Sequence, residues 1–325
     1  MAEILSPSET SFAKVSEALA FGDVVALPTE TVYGLAAIVG DDAALKKIFG
    51  VKGRPLFDPL IVHVLGLSSL LELVEVSQDV FSKLQVLTGA FCPGPLTFVL
   101  RKKKSVSDII TAGKKTVAVR IPAHPVFREV LRRAGPLAAP SANPFGYVSP
   151  TRAEHVQQSL GDKIKYILDG GSCSVGVEST ILDLSSQKLA ILRPGAVTAE
   201  MITDVLGEPV TPYKTIATTD PSAPGMLTRH YSPRTRLRLF QNPGELKALL
   251  KQNQGSRVAI VCCTRSEMEH FSRAIVLENS VQLKQQFFCL SETGDLVEIA
   301  SHVFDCLQKL DAMSLDSIFV QTPPK

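Results

Sequence analysis

Two cations in the stretch VKGRPLFDPLIVHV, residues 51–64, have the types and the spacing that suit a polyphosphate. Lys52 and Arg54 flank Gly53, and Pro55 stiffens the chain after them. In an extended segment, residues two apart point to the same side, so both cations would face one ligand. Lysine supplies a point charge and arginine a planar fork for phosphate oxygens. The alternative interpretation is a pair of solvated surface cations.

Two further ionisable residues lie within apolar runs that predict buried strands. Arg120 belongs to the run TVAVRIP, residues 116–122, and a buried arginine needs an anionic partner. That partner is either a carboxylate of the protein or the carboxylate of a substrate. His63 lies in the run LIVHV, residues 60–64, and on its local surroundings it is a core histidine before it is a ligand.

Polar side chains also follow two predicted strands. The run LPTETVYGLAA, residues 27–37, places Thr31 after a strand that ends at a proline, an arrangement found both in binding sites and in ordinary turns. The run APSANPFGYVSPT carries Ser141, Asn143 and Ser149 on a loop stiffened by prolines. These hydroxyls and this amide suit binding, and they do not suit nucleophilic catalysis, because no His/Asp pair is recognisable nearby.

Three more candidates come later in the chain. Ser179 precedes a predicted strand in GVESTILDL, and Arg193 ends the next strand in ILRPG. The run APGMLTRHYSP then carries Arg229 and Tyr231 on a segment that could close as a lid. Neither a P-loop nor a GxGxxG fingerprint occurs in the sequence, so any nucleotide site must be of a less common type.

The whole chain limits the class of protein. Its 325 residues predict about two domains, and its formal net charge is only +2, from 34 Lys and Arg against 32 Asp and Glu. Nucleic acid would therefore need a local patch, for which RKKK (101–104) and Lys114-Lys115 are candidates. The six cysteines form no CxxC pair, and neither a signal peptide nor a membrane span is recognisable. The predicted location is the cytoplasm.

The elements that must position these residues follow from periodicity and from breakers. Predicted strands cover 24–27, 60–64, 95–100 and 116–122, and a hairpin covers 177–184 and 188–195. Predicted helices cover 11–21, 125–133, 199–206, and a segment from Asp41 to Phe49 that Gly50 ends. After a Pro- and Thr-rich stretch, strands at 237–240, 257–263 and 317–320 alternate with helices at 243–252 and 295–310, which predicts a parallel sheet. The predicted organisation is an α/β domain at 1–207, a linker at 208–235 and a smaller α/β domain at 236–325.

Taken together, these ordered motifs resemble the YrdC/Sua5 family of threonylcarbamoyl-AMP synthases. The matching strings are PTETVYGL, KGRP with PLIVHV, VAVRIP, PSAN, VESTI and LRPG, and the linker string PGML.RHYSP resembles the long Sua5 form. The resemblance implies a twisted YrdC-like sheet with a concave basic face and a smaller Rossmann-like parallel α/β domain. It also implies that L-threonine, bicarbonate and ATP, with Mg²⁺, yield threonylcarbamoyl-AMP and pyrophosphate for threonylcarbamoyladenosine formation in tRNA.

The resemblance assigns roles by position. Lys52 and Arg54 would meet phosphate as the catalytic pair, and an acid at Asp58, where relatives often have asparagine, could repel phosphate or help to hold Mg²⁺. The residues that match threonine-binding positions are Thr31, His63, Arg120 and Ser179. The residues that match positions near ATP are Thr116, Ser141, Asn143, Ser149, Arg193, Arg229 and Tyr231.

Partners implied by the resemblance are tRNA or tRNA-modification proteins, and no membrane. Two alternatives remain open. One is an RNA-binding module without catalysis, and the other is a carbamoyltransferase of the kind that contains a YrdC-like domain. The second alternative lacks support in the sequence, because the zinc-finger and acylphosphatase regions of those proteins are not visible here.

Overall fold

The computed structural model describes residues 1–213, 224, 231–276 and 284–323, and the chain divides into two compact units. The first unit is Met1–His230 and the second is Tyr231–Lys325. Within the predicted linker, Val210 is buried and Thr211 forms a bridge to Ala190, so this part of the linker packs on the first unit. The exact domain boundaries stay a prediction.

One large mixed sheet organises the first unit. Its strands are β1 (Glu3–Leu5), β2 (Val25–Leu27), β3 (Gly34–Ile38), β4 (Ile61–His63), β5 (Val74–Glu75), β6 (Leu96–Lys102), β7 (Thr116–Arg120), β8 (Leu137–Ala138), β9 (Tyr166–Leu168), β10 (Thr180–Asp183) and β11 (Ala190–Arg193). The spatial order is β1-β9-β2-β3-β8-β4-β7-β6-β10-β11, and β5 pairs with β6. The predicted hairpin is confirmed, because β10 and β11 pair antiparallel.

Helices cover both faces of this sheet. They are α1 (Glu9–Ala20), α2 (Asp42–Lys52), α3 (Leu67–Leu71), α4 (Gln78–Phe91), α5 (Asp108–Thr111), α6 (Pro125–Ala134), α7 (Ala153–Leu160) and α8 (Ala199–Leu206). The main core lies on one face, and a second apolar cluster lies where α1 and α6 cover β2, β3 and β9 on the other. The bounds predicted for α8 are confirmed, since Gly207 closes that helix in the left-handed conformation.

The predicted end of α2 is wrong. Gly50 does not end the helix, which continues to Lys52, and Gly53 caps it at φ 64°. A left-handed residue is what stops the helical hydrogen bonding, and only the second of the two glycines adopts that conformation. Lys52 and Arg54 therefore lie at a helix terminus and just beyond it, and not on an extended segment.

The second unit is a parallel sheet with helices, as predicted. Its elements are β12 (Arg236–Phe240), α9 (Pro243–Gln252), β13 (Arg257–Thr264), α10 (Arg265–Val276), β14 (Lys284–Ser291), α11 (Leu296–Ala312) and β15 (Ser317–Gln321). The order is β12-β15-β13-β14, with every pair parallel. Helix α10 and strand β14 were not predicted from the sequence. Among the described helices of both units, none is long and apolar enough to cross a membrane.

Candidate functional site

Strand register places three polar residues side by side on the sheet face opposite the main core. His63 of β4 pairs with Arg120 of β7, and Arg120 pairs in turn with Thr97 of β6. Side chains alternate across a strand, so the neighbours Val62, Phe98 and Val119 enter the main core and these three residues face the other way. The register therefore builds a polar row across three adjacent strands.

Arg120 is the centre of this row, and its anionic partner is a carboxylate of the protein. Its Nη2 lies 2.6 Å from Glu30 Oε1, its Nη1 donates to Thr31 Oγ1 at 2.8 Å, and its Nε donates to Gly94 O at 3.2 Å. The other oxygen of Glu30 accepts from the Ala123 amide at 3.1 Å. Burial alone would raise the pKa of Glu30, but the guanidinium outweighs it and the pKa is lowered. Three of the five guanidinium N–H donors are used by described residues, which leaves two for a ligand.

His63 is a buried neutral histidine beside the same guanidinium. Its ring lies 5.0 Å from the ring of Phe127, and its Nδ1 has no hydrogen-bond partner among the described residues. Burial and, second, the charge of Arg120 lower its pKa to about 3. An imidazole in this state is uncharged at neutral pH, so it can accept or donate one hydrogen bond to a ligand but cannot neutralise one.

Lys52 is buried and joins the end of α2 to the loop after β8. Its ammonium group donates to the main-chain oxygens of Ser141 and Asn143, the second at 2.6 Å, and its own carbonyl accepts from the Phe145 amide. Burial lowers the pKa of Lys52 well below its ordinary value, and nearby Arg54 lowers it further. The predicted serine and asparagine therefore meet Lys52 through their carbonyls.

Arg54 is also buried, and main-chain oxygens hold its guanidinium. Its Nε donates to the carbonyl of Asp58 at 3.1 Å and its Nη2 donates to the carbonyl of Pro59 at 2.7 Å. The Asp58 carboxylate lies 2.9 Å from the same Nη2 as an ion pair. Neither cation of the predicted phosphate pair is turned to solvent, since Lys52 is 3% and Arg54 7% exposed.

Ser179 connects the polar row to the end of β11. Its hydroxyl lies 2.8 Å from Thr97 Oγ1 and accepts from Arg193 Nη2 at 3.0 Å. Arg193 lies 3.6 Å from Glu178, whose carboxylate accepts from the Ser149 hydroxyl at 2.7 Å.

Close packing at Gly195 fixes this segment. A Cβ there would lie 2.4 Å from the Thr180 amide nitrogen and 2.5 Å from the Glu178 carbonyl oxygen. Such distances are shorter than any non-bonded contact allows, so the turn after Arg193 requires glycine.

Three groups form one connected site: the polar row around Arg120, the buried cations Lys52 and Arg54 with Asp58, and Ser179 with Arg193 and Glu178. Burial raises the pKa of Asp58, although the charges of Arg54, Lys52 and Arg193 all act to lower it. Burial lowers the pKa of Lys52, although the charge of Glu178 acts to raise it. The loop between β2 and β3 joins the two ends, because the Ala142 amide donates to Tyr33 O at 2.7 Å, two residues from Thr31.

One predicted ATP contact, Thr116, is separated from Arg120 along its own strand. Thr116 shares the face of Arg120 but lies four residues away, about 13 Å along β7. Between them on that face is an apolar patch of Ile61, Val99, Ala118 and Ile181. Tyr231 begins the second unit, where its ring lies 5.7 Å from that of Phe304, and Arg229 lies outside the described residues.

Sequence reasoning gave no role to three residues that the structure places in the site. Glu30 pairs with Arg120, Glu178 links Ser149 to Arg193, and Thr97 bonds Ser179. The need of a buried arginine for an anion was the one signal that pointed to Glu30. In the described part of the chain, no group of three or more His, Cys, Asp or Glu side chains is arranged to hold a metal ion.

Comparison with known proteins identifies the family of the chain. Residues 17–195 match the Sua5–YciO–YrdC family model, described as telomere recombination, and residues 197–325 match the threonylcarbamoyl-AMP synthase C-terminal domain. A threonylcarbamoyl-AMP synthase of Bacillus subtilis is 36% identical over 98% of this chain and 90% of its own length. One from Pyrococcus abyssi is 36% identical over 92% of this chain and 85% of its own.

A solved structure extends the likeness to the fold. The crystal structure of P. abyssi Sua5 complexed with L-threonine superposes with a TM-score of 0.86 at 32% identity, over 99% of this chain and 92% of that one. The two family models and the relatives that match nearly the whole chain show that the chain belongs to the Sua5–YciO–YrdC family, in the form that carries the C-terminal domain of threonylcarbamoyl-AMP synthases.

Proposed function

We propose that this chain is an L-threonylcarbamoyladenylate synthase, which converts L-threonine, bicarbonate and ATP into threonylcarbamoyl-AMP and pyrophosphate. The observation that carries the proposal is one connected set of contacts. Arg120, with two guanidinium donors left, donates to Thr31, and the loop that carries Thr31 is bonded to the loop whose carbonyls hold the buried cation Lys52. The relatives that share the whole length of the chain are named for this activity, and one was solved with L-threonine.

Threonine would be held by the polar row. The two remaining donors of Arg120 are suited to its carboxylate, because an arginine fork matches a carboxylate with two parallel hydrogen bonds. Thr31, Ser179 and neutral His63 are at hand for its hydroxyl and amine. A site that bonds the hydroxyl of threonine would select against amino acids without one, since the buried polar partner would otherwise remain unpaired.

The chemistry then needs positioning more than a protein nucleophile. The threonine nitrogen attacks the carbon of bicarbonate, water leaves and a carbamate forms. A carbamate oxygen attacks the α-phosphorus of ATP, the bond to the bridging oxygen breaks, and pyrophosphate leaves with its electron pair. Lys52 and Arg54 would stabilise the phosphate charge that develops in this step. Holding the reactants together would accelerate the reaction, and excluding water would protect the labile carbamate.

Mg²⁺ would enter with the nucleotide. The described residues contain no metal cage, and the carboxylate of Asp58 is surrounded by Arg54, Lys52 and Arg193, which disfavours a divalent cation there. Mg²⁺ is commonly held by substrate phosphates and water, where it neutralises charge. We therefore assign no protein ligand to it, and chelation should abolish pyrophosphate release without changing the unfolding temperature.

The product is a mixed anhydride whose threonylcarbamoyl group is activated for transfer. We propose that it serves threonylcarbamoyladenosine formation in tRNA, in the cytoplasm. The threonylcarbamoyl group would be transferred to tRNA either by a partner protein or while tRNA is bound to this chain. Pull-down with tRNA and cell fractionation test these two parts of the proposal.

The deciding experiment measures pyrophosphate release from purified protein with ATP, threonine and bicarbonate, and with each of them omitted in turn. Release should require all three, and Lys52→Met should reduce kcat/KM at least about 100-fold, as loss of a charge-stabilising group does. Release with carbamoyl phosphate in place of bicarbonate would favour the carbamoyltransferase alternative. Salt-dependent RNA binding without pyrophosphate would favour the RNA-binding module.

A further inference from the structure

The Asp58 carboxylate is the least satisfied charge in the site. It is completely buried, and neither of its oxygens has a hydrogen-bond partner among the described residues. Its compensation is purely electrostatic, through Arg54 at 2.9 Å and through the more distant charges of Lys52 and Arg193. A buried carboxylate without hydrogen bonds is costly, so its presence calls for a reason.

Arg54 does not need this carboxylate for its position. Two main-chain carbonyls, those of Asp58 and Pro59, already accept from its Nε and Nη2. Removing the charge of Asp58 would therefore leave the guanidinium in place, with its positive charge no longer balanced. The carboxylate adjusts the charge of the site, and the peptide groups define its shape.

The second buried ion pair of the site is built in the opposite way. Both oxygens of Glu30 are bonded, one by Arg120 at 2.6 Å and one by the Ala123 amide at 3.1 Å. Its pKa is lowered, although burial opposes this, whereas the pKa of Asp58 is raised by burial in spite of the three cations around it. Glu30 is thus held as an anion by hydrogen bonds to both of its oxygens, whereas Asp58 is held by neighbouring charges alone.

We propose that Asp58 is an exchangeable counter-ion of the phosphate site: its carboxylate balances Arg54 and Lys52 while no nucleotide is bound, and it takes up a proton from solvent when the triphosphate brings its own negative charge. The inference rests on the proposed function, because it requires ATP to bind at these cations. It adds that ATP binding is linked to proton uptake and becomes tighter as the pH falls.

The other charged groups around Asp58 decide which residue besides Asp58 could take up the proton. Arg54 and Arg193 keep their charge at all relevant pH values. Lys52 does not have to, since burial lowers its pKa well below the ordinary value, and Glu178 acts on Lys52 in the opposite direction. Proton uptake by Lys52 would give the same overall signal, so the test must separate the two residues.

Calorimetric titration of the full chain with Mg-ATP, in two buffers of different ionisation enthalpy, counts the protons taken up. The wild type should take up a fraction of a proton, at most about one half for a pKa shift of one unit, at a pH between the pKa values of Asp58 in the free and the ATP-bound protein. Asp58→Asn should take up none, and should bind Mg-ATP about tenfold more tightly, which corresponds to about 1.4 kcal/mol or one pKa unit. Asp23→Asn makes the same change at a partly exposed ion pair outside the site, with Lys47 and Lys165, and should behave as the wild type.

Three outcomes would overturn the inference. The first is that the wild type takes up no proton. The second is that Asp58→Asn takes up as many protons as the wild type, which would assign the proton to Lys52. The third is that Asp58→Asn binds Mg-ATP no more tightly than the wild type. If the wild type releases pyrophosphate in any of these cases, the proposed function stands and only the role of Asp58 fails. If the wild type binds no ATP, both fail. Matched unfolding temperatures of the two variants exclude misfolding as the cause.

Discussion

Replacing both members of the Arg120–Glu30 pair separates the structural role of this arginine from a role in binding threonine. The two side chains are 4% and 8% exposed, with nitrogen and oxygen 2.6 Å apart. Arg120→Met alone would leave Glu30 as a buried unpaired acid, and losing one partner of a buried pair costs about 3–5 kcal/mol. The double variant Arg120→Met, Glu30→Gln removes both charges, so most of this stability should return.

Threonine binding should not return with it. Two hydrogen bonds from the guanidinium to the threonine carboxylate, each worth about 1.5 kcal/mol or more because both groups are charged, amount to about 3 kcal/mol. At about 1.4 kcal/mol per factor of ten, the threonine KM of the double variant should rise about 100-fold. The ATP KM should change less than about threefold, because Lys52 and Arg54 keep their own main-chain partners.

The assay is pyrophosphate release with threonine and ATP varied separately, combined with urea unfolding of the wild type, the single variant and the double variant. A pH series adds a signature of the single variant. Without Arg120, burial raises the pKa of Glu30 in the folded state above its unfolded value, so the single variant should lose stability as the pH rises above about 4.5. A stable double variant with an unchanged threonine KM, or with equal rises in both KM values, would refute the assignment of Arg120 to the threonine carboxylate.

Three further predictions follow from other contacts. Below pH 6.5 His63 is protonated in the unfolded chain, whereas in the folded chain it stays neutral down to about pH 3. The free energy of unfolding should therefore fall by up to about 1.4 kcal/mol for each pH unit of acidification. His63→Gln should reduce this slope in urea unfolding at pH 7 and 5.5, and an unchanged slope would contradict the prediction. Thr97→Val should cost about 1 kcal/mol in the same assay, because Ser179 loses one hydroxyl partner and keeps Arg193. Gly195→Ala should lower the unfolding temperature and activity together, since its Cβ overlaps Thr180; normal activity would show that the turn can relax.

Local signals in the sequence were enough for many of the elements. Periodicity and a left-handed glycine defined α8, and alternating apolar runs defined the β10–β11 hairpin. The same reasoning missed β14, because that strand lies at the edge of its sheet and begins with Lys284, Gln285 and Gln286, which weakens the apolar pattern. It ended α2 too early because two glycines lie three residues apart, and periodicity cannot tell which one becomes left-handed.

The site was predictable in its residue types but not in its pairings. A buried arginine signalled that an anion lies nearby, yet Glu30 is 90 residues away and meets Arg120 only because the fold brings the loop between β2 and β3 to the end of β7. The roles of Ser141 and Asn143 illustrate the same limit, because their peptide carbonyls, and not their side chains, bind Lys52. Backbone contacts of this kind leave no trace in residue chemistry.

The position of β11 in the chain has a consequence for synthesis of the protein. Arg193 is the last described member of the connected site, and it donates to Ser179 from the outer edge of the sheet. The earliest member, Glu30, precedes it by 163 residues. A nascent chain emerges from its N-terminus, so the ribosome must complete β11 before the site exists. We expect every fragment that ends before Arg193 to be inactive, whatever its length.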